Sequence, residues 1–325
     1  MSIFIKRGGG PALKVHQNYA LIADIHGNID AFEAVLADAK NQNIDKYIFL
    51  GDYYGEDSHT NDVIDKIKSI HDTYIVKGNR EETLATITND TLKKWSILDQ
   101  MATFVWCYND FTDENRQYIK AMPSTLKISG NIDIYLAHSP TKYCGEELTW
   151  ITGSRFCTEV MSRENAIRET YDKYINDNFK KNNEITRRIS NLPKGIYIFG
   201  HTHTQWHKWA GGNLLINPGA VGNNKDLVHG AHYSILSING DNVDVQDRII
   251  PYNVENTVEK LRKSDMYKAA PVWSKLVINM LLSNREVFNY FFALANEVNN
   301  EYGEVGFPCS NKVFNESAKR WFEIH

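Results

Sequence analysis

Residues 23–28, Ala-Asp-Ile-His-Gly-Asn, decide how this chain folds. They follow an apolar run that begins at Tyr19, and they precede an amphipathic segment over residues 30–39. This order predicts a strand, a tight glycine turn and a helix, which is where an open α/β sheet carries its chemistry. Asp24 and His26 are two residues apart, so in extended backbone their side chains point to the same side. A carboxylate and an imidazole on one side are candidate metal ligands.

The composition is that of a globular protein and excludes several classes. The 325 residues are 42% hydrophobic and 23% charged, which suits one large domain with additions. Because 36 basic residues face 40 acidic ones, we expect no general nucleic-acid binding. The four cysteines, at positions 107, 144, 157 and 309, form no C-x-x-C pair, which argues against a zinc ribbon or a disulfide framework.

No segment of the sequence predicts contact with a membrane. The start of the chain has no apolar core of the kind found in a signal peptide. The longest late apolar run, residues 276–282, is too short to cross a bilayer. We therefore expect a cytoplasmic protein.

Hydrophobic patterning divides the chain into three predicted parts. Residues 1–16 form a leader, residues 17–250 an α/β domain, and residues 251–325 a C-terminal helical extension. A polar helical insertion at about 139–194 interrupts the domain. The aromatic positions of the extension favour packing over ligand binding, and a contact between copies of the chain, hence a homo-oligomer, stays open as an alternative.

Five predicted strands end in polar residues beside glycine or beside a Ser-Pro pair. These residues are Asp24 with His26, Asp52, Asn79, His138, and His201 with His203. One such histidine could simply be packed in the core, but packing alone hardly explains polar residues at five successive strand ends. Seven donors, one of them shared, supply eight contacts, which suits two divalent ions about 3.5–4 Å apart. Imidazoles with carboxylates favour Mn, Fe, Zn or Co over Mg or Ca.

The order of these motifs resembles that of the calcineurin-like metallophosphoesterase superfamily. The fuller runs at residues 24–28, 51–55 and 217–219 resemble its bacterial phosphodiesterase and diadenosine-tetraphosphatase-like branch. The resemblance covers about residues 17–250. It implies an α/β fold, a four-layer α-β-β-α sandwich of two mixed sheets flanked by helices.

The resemblance also implies a ligand set and a reaction. The first ion takes Asp24, His26 and His203; the second takes Asn79, His138 and His201; Asp52 bridges the two. The cofactors are then two divalent transition-metal ions, Mn or Fe foremost with Zn as an alternative. A hydroxide that bridges the ions is the implied nucleophile, which makes the chain a metal-dependent phosphohydrolase.

This sequence departs from the superfamily pattern after Gly78-Asn79, where Arg80 stands in place of a frequent histidine. Arginine cannot act as a general acid, because its pKa exceeds 12, but it can clamp a phosphate oxygen. His59 is the candidate substitute acid, with an ordinary surface histidine as the alternative. Asn28 is expected to donate a hydrogen bond to a phosphate oxygen, to cap the following helix, or to do both.

The expected substrate is a phosphorylated small molecule or nucleotide. A leaving group that needs no histidine acid favours phosphodiester or phosphoanhydride bonds, as in dinucleoside polyphosphates. The alternatives are a phosphomonoesterase or protein phosphatase, and a non-catalytic metal-binding scaffold. A protein phosphatase is disfavoured because residues 53–57 contain no arginine after Gly51-Asp52.

Overall fold

The computed structural model describes residues 16–153 and 167–324. Residues 1–15 of the predicted leader, the part of the insertion that contains Cys157, and His325 lie outside the described residues. The strands are β1 (His16–Ile22), β2 (Lys46–Phe49), β3 (Thr73–Ile75), β4 (Thr125–Ile128), β5 (Ile134–Ala137), β6 (Ile196–Ile198), β7 (Gln205–Ala210), β8 (Asn213–Pro218), β9 (Ala231–Asn239) and β10 (Asn242–Ile250).

Helices follow most of the strands and fill the C-terminal part of the chain. Those before the second sheet is complete are α1 (Ile29–Asn41), α2 (Thr60–Lys68), α3 (Asn79–Thr86), α4 (Asn89–Trp95), α5 (Ala102–Asp110), α6 (Asp113–Ala121), α7 (Thr141–Cys144), α8 (Glu146–Thr152), α9 (Arg168–Lys181) and α10 (Asn183–Ser190). Those after β10 are α11 (Val254–Lys263), α12 (Asp265–Ala269), α13 (Pro271–Ser283), α14 (Phe288–Glu301) and α15 (Asn311–Ile324). No helix among the described residues is long and apolar enough to cross a membrane.

The strands form two mixed five-stranded sheets, in the orders β10-β9-β1-β2-β3 and β4-β5-β6-β8-β7. In the first sheet β1, β2 and β3 are parallel and β9 is antiparallel to β1. In the second sheet β5, β6 and β8 are parallel, with β4 and β7 antiparallel at the edges. The predicted fold class, two mixed sheets flanked by helices, is confirmed.

The side chains of β1 show why the sheets pack face to face. Tyr19, Leu21 and Ala23 lie in the apolar core between the two sheets. Ala20 and Ile22 point the other way, into the core shared with the flanking helices. Because successive side chains alternate across a strand, an unbroken apolar run such as this one is buried on both faces. The result is the four-layer order of helix, sheet, sheet and helix.

Two elements differ from the sequence patterns. β7 is a strand that the pattern did not predict, because its residues, Gln-Trp-His-Lys-Trp-Ala, neither alternate regularly nor form an apolar run, and Trp209 is 60% exposed. It forms an edge of the second sheet, antiparallel to β8. Helix α3 begins at Asn79, two residues before the predicted start at Glu81. This shift places Asn79 in the first helical turn, directly after the glycine that follows β3.

The C-terminal helices form an aromatic cluster of their own. The Phe291 ring packs edge-on against Phe314 and Trp321, with ring centroids 5.6 and 6.0 Å apart. The Trp273 indole donates a hydrogen bond of 2.6 Å to the Gln100 carbonyl, which ties this cluster to the α/β part of the chain. Most of these rings serve packing, as expected, but Trp273 also lines the cavity described below.

Candidate dinuclear metal site

The loops after the parallel strands meet at one edge of the sandwich. Within the first sheet the Asp24 amide donates to the Gly51 carbonyl and the His26 amide to the Asp52 carbonyl, each at 3.0 Å. Across the sheets the His201 amide donates to Asp24 Oδ2 at 2.9 Å. Because parallel strands end on the same side, the fold itself brings these polar residues together.

Five predicted ligands share a backbone conformation that is uncommon for residues with a side chain. Asp24, His26, Asp52, His201 and His203 all have positive φ angles, of 53°, 52°, 54°, 72° and 58°. Such left-handed residues cost energy and cluster at functional sites, where the surrounding structure enforces them. The strain here points to a function for this edge of the sandwich.

Three imidazoles are fixed through their Nδ1 atoms. Each Nδ1 meets an oxygen: His26 contacts the Glu56 carboxylate, His138 donates to the Leu50 carbonyl at 2.7 Å, and His203 donates to the Asn223 carbonyl at 2.6 Å. A hydrogen bond at Nδ1 fixes the ring and leaves Nε2 as the ligand atom, as in most protein metal sites.

The free Nε2 atoms converge on two carboxylates. His203 Nε2 lies 3.1 Å from His26 Nε2 and 3.3 Å from Asp24 Oδ1. His138 Nε2 lies 3.4 Å from Asp52 Oδ2. Donor atoms that share one ion at about 2.1 Å are themselves roughly 3 Å apart. The structure therefore forms two groups that can hold a metal ion, Asp24 with His26 and His203, and Asp24 with Asp52 and His138.

The buried polar atoms and charges of this site fit a cation. Among the described residues none hydrogen-bonds to His138 Nε2, although the atom is buried. Burial lowers the pKa of His138, but the neighbouring carboxylates, Asp52 first, raise it to about 10. Asp24 and Asp52 are themselves buried, so positive charge is favoured between them. Nitrogen and carboxylate donors together suit a divalent transition metal.

Asn79 and His201 form a more open part of the site. Asn79 Nδ2 lies 3.0 Å from His201 Nδ1, and Asn79 is exposed. Amide oxygen and nitrogen are assigned by their surroundings, and rotation of this amide would place Oδ1 beside the imidazole. Burial and the charge of His138 lower the pKa of His201 to about 4, which keeps its imidazole in the neutral, metal-binding form.

Glu81 orients the loop that carries Asp52, and it is not among the residues that the sequence motifs predict. Its buried carboxylate accepts hydrogen bonds from the amides of Asp52, Tyr53 and Gly78, at 2.8, 2.9 and 2.8 Å. A Cβ atom at Gly78 would lie 2.2 Å from Asp52 Oδ1, so only glycine fits there. The signal was present in the sequence, since an acidic residue three positions after a helix N-cap is typical of a capping box.

Glu56 links a candidate ligand to the arginine that replaces the expected histidine. Its buried carboxylate contacts both His26 Nδ1 and the Arg80 guanidinium. Arg80 also donates its backbone amide to Asp52 Oδ1 at 2.9 Å, and its guanidinium lies 4.7 Å from the centre of the Phe104 ring. The sequence pattern of residues 53–57 indicates only that an arginine is missing there, and it does not point to Glu56.

The structure places Asn28 away from the cavity. Its Oδ1 accepts the Ala31 amide at 3.1 Å, which is the helix cap of α1. Its Nδ2 donates to the Gly222 carbonyl and the Tyr252 hydroxyl, at 3.1 and 3.2 Å. The capping role of the side chain is therefore present in the fold, and Asn28 is not among the residues that line the cavity described below.

His59, the candidate acid, also lies outside the group of converging residues. It precedes α2, and its Nδ1 pairs with Asp62 at 2.7 Å. The cavity at the metal site is not lined by His59. The structure thus does not bring this histidine to the position of a leaving group.

A cavity of about 350 Å³ opens onto the converging residues. Its polar lining includes side chains of the strand ends and of α3, namely His26, Asp52, Asn79, Arg80, His201 and His203, together with Glu56, Thr83, Asn223, Lys225 and Asn289. Its aromatic lining comes from helices, namely Phe104, Trp273, Phe288 and Phe292. This volume falls within the range of small-molecule sites.

Comparison with known proteins agrees with this geometry. The family model for the calcineurin-like phosphoesterase superfamily domain matches residues 18–241. An uncharacterized protein of Methanocaldococcus jannaschii is 24% identical over 274 residues, which are 78% of this chain and 94% of that protein.

Two solved structures share the fold. A metallophosphoesterase from Sphaerobacter thermophilus is 17% identical with a TM-score of 0.57, and the match covers 82% of this chain and 100% of that one. A hypothetical protein from Pyrococcus horikoshii is 17% identical with a TM-score of 0.58, over 83% and 99% of the two chains. At this level of identity the likeness concerns the fold alone.

Proposed function

Because the chain belongs to the calcineurin-like phosphoesterase superfamily and is a metallophosphoesterase, we propose that it hydrolyses phosphodiester or phosphoanhydride bonds. One observation supports this most strongly. The Nε2 atoms of three fixed imidazoles converge on two buried carboxylates beside a cavity that can admit a small molecule. A purely structural cluster would not need a cavity.

The candidate ligands divide into two sets in this proposal. Asp24, His26 and His203 hold one ion, and Asn79, His138 and His201 hold the other. Asp52 carries the charge shared by both. When bound, two divalent ions, with Mn or Fe preferred over Zn, would supply Lewis-acid stabilisation and lower the pKa of water. The chain's own contribution is to fix these donors, because three of the four imidazoles, those of His26, His138 and His203, are each held at Nδ1 by an oxygen of the protein.

Arg80 is the proposed phosphate-binding residue. Its guanidinium lines the cavity and is held in place by Glu56 and by the Phe104 ring. The guanidinium at this point can donate hydrogen bonds to a phosphate oxygen, but because it stays charged it cannot give a proton to a leaving group. The histidines that the described residues contribute to the cavity, His26, His201 and His203, are all proposed ligands.

The absence of an unassigned cavity histidine among the described residues bears on the substrate. A leaving group such as a nucleotide or a phenolate departs without protonation more readily than an alkoxide does. We therefore propose that the substrate is a phosphorylated small molecule or nucleotide and that the bond cleaved is a diester or an anhydride.

A location in the cytoplasm and assembly into a homo-oligomer both stay predictions.

A substrate panel with Mn²⁺ tests the proposal. It contains bis-p-nitrophenyl phosphate, p-nitrophenyl phosphate and diadenosine tetraphosphate, with the products separated by chromatography. We expect hydrolysis of the diester or of the tetraphosphate to exceed that of the monoester. Activity on the monoester alone would replace this proposal with a phosphomonoesterase, and a protein that neither binds metal nor turns over any substrate would be a scaffold.

Arg80→Ala tests the phosphate contact. Loss of a charge-assisted hydrogen bond should raise KM by about tenfold or more while changing kcat less. Arg187→Ala is the matched control, since Arg187 is exposed and lies outside the cavity lining. An unchanged KM in Arg80→Ala would exclude the clamp.

A further inference from the structure

The C-terminal helices contribute a continuous aromatic surface to the cavity. Trp273 on α13 packs against Phe288 and Phe292 on α14, with ring centroids 4.7 and 5.7 Å apart. All three line the same cavity as the candidate metal ligands, and Phe104 on α5 joins them. We call Phe104, Trp273, Phe288 and Phe292 the aromatic wall.

The aromatic wall is anchored on one side and accessible on the other. The Trp273 indole donates to the Gln100 carbonyl, and the side-chain oxygen of Gln100 accepts the Cys309 amide at 2.7 Å. Trp273 is buried, whereas Phe288, Phe292 and Phe104 are only partly buried. Rings held from behind with a face open to a cavity are the usual platform for a planar ligand.

The wall also extends outward. The Phe307 ring lies 6.1 Å from that of Phe292, and Phe307 is 78% exposed. A row of rings therefore runs from the cavity to the surface.

Charged and polar groups occur in the same cavity as the wall. The Arg80 guanidinium lies over the Phe104 ring, so a positive charge adjoins the aromatic surface. Lys225, paired with Glu286 at 2.8 Å, lines the cavity with Asn223 and Asn289. The cavity thus combines sites for an anion, a planar ring and the polar edge of that ring.

We propose that the aromatic wall binds the nucleobase of the substrate, so that the preferred phosphoesters are those of nucleosides. This inference rests on the proposed function and adds to it a role for the C-terminal helices. Stacking on aromatic side chains accepts any base, because every base presents a flat π face. The polar side chains beside the wall favour a nucleobase over a plain phenyl ring, because they can bond to its edge.

Calorimetric binding to the Mn²⁺-loaded full chain tests the nucleobase site without turnover. The probes are AMP and ribose 5-phosphate, which differ only in the base, and phenyl phosphate, which has a ring without polar edges. We expect AMP to bind about tenfold more tightly than ribose 5-phosphate, the scale of one stacked base. Phenyl phosphate should bind more weakly than AMP.

A matched pair of variants locates the effect. Phe292→Leu removes a ring of the wall and should bring the two affinities to within about twofold, with ribose 5-phosphate affected little. Phe322→Leu changes an equally partly buried ring of the same C-terminal cluster that does not line the cavity, and it should keep the preference for AMP. Circular dichroism on both variants identifies any general loss of structure.

The failures of the two proposals are distinguishable. Equal affinity for AMP and ribose 5-phosphate, or no binding of either, would overturn the nucleobase site even if diesters are hydrolysed. Phenyl phosphate binding as tightly as AMP would also overturn it, in favour of an aryl site. A preference for AMP without any hydrolysis would support the nucleobase site and refute the hydrolase.

Discussion

The two halves of the candidate metal site differ in burial and in support. Asp24, His26 and His203 are buried, and both imidazoles of this set are fixed through Nδ1 by an oxygen of the protein. Asn79 and His201 are exposed and half-buried respectively, and they contact each other. The third member of the second set, His138, is buried and held at Nδ1 by the Leu50 carbonyl. The first set is therefore preorganised throughout, whereas the second is preorganised only in part.

This difference indicates how the site divides its tasks. A buried set with fixed rings needs little rearrangement to bind an ion, which favours affinity. A set with exposed and half-buried members, here Asn79 and His201, leaves room for substrate beside its ion, which favours catalysis and exchange. We therefore expect the ion at Asp24, His26 and His203 to be held more tightly than the ion at Asn79, His138 and His201.

Asp52→Asn should have the largest effect, because Asp52 is the proposed link between the halves. Removing its charge leaves two cations without their shared anion, and kcat should fall by at least about a thousandfold, the upper range for one electrostatic group. Steady-state hydrolysis of bis-p-nitrophenyl phosphate measures this. Asp244→Asn, on the exposed side of β10, is the control and should keep wild-type rates. Near-normal turnover in Asp52→Asn would refute the bridge.

Gly78→Ala should damage the same link without removing any chemical group. The added Cβ would meet Asp52 Oδ1 at 2.2 Å, so the carboxylate must move. Misplacing a catalytic group by about 1 Å can cost on the order of a hundredfold in rate. The control is Gly130→Ala, where the nearest atom would lie at an ordinary 3.5 Å. Equal activity of the two variants would show that the site tolerates movement of Asp52.

A comparison of His203→Ala with Asn79→Ala tests the two halves directly. Loss of the buried ligand His203 should weaken the affinity for the first ion by about 100-fold, at least as much as losing an outer-shell partner. Loss of the neutral, exposed Asn79 should weaken the second by on the order of tenfold. Elemental analysis after dialysis against graded chelator measures both. A larger loss in Asn79→Ala would reverse the proposed order.

Glu56→Gln should have the smallest effect of the series. Glutamine keeps the size and one acceptor oxygen, but it loses the charge that contacts both His26 and Arg80. The expected result is a loss of about tenfold in kcat/KM, typical of a residue that orients a ligand. Glu184→Gln, at an exposed position on α10, serves as its control. If Glu56→Gln were indistinguishable from wild type, the link between His26 and Arg80 would be dispensable.

Much of the fold could be predicted from the places in the sequence where apolar runs end. The apolar run before Asp24 and the glycines after β2, β3 and β6 predict strands that stop at polar residues, and parallel strands bring such residues to one edge. β7 was not predicted because this edge strand mixes polar and apolar residues irregularly and lacks the apolar run on which these predictions depended. Helix starts are also imprecise in a sequence, as Asn79 shows.

The supporting residues were harder to predict than the candidate ligands. Glu56 and Glu81 act through contacts with backbone amides, an imidazole and a guanidinium, and these appear only once the loops are folded together. The aromatic wall was expected to serve packing because the spacing of aromatics on a helix does not say which of them face a cavity. Asn28 shows the converse. The local signal for a helix cap correctly predicted a contact of its side chain, whereas its place beside a ligand motif predicted no contact that the structure shows.

Titration of chelator-stripped protein with Mn²⁺ tests the central claim, a two-ion hydrolytic site, most directly. The rate of bis-p-nitrophenyl phosphate hydrolysis is followed against equivalents of metal per chain. We expect almost no activity in the stripped protein and a rate that rises until about two equivalents have bound, since both ions are needed at such sites. Full activity after stripping, or a chain that binds no metal, would contradict the account.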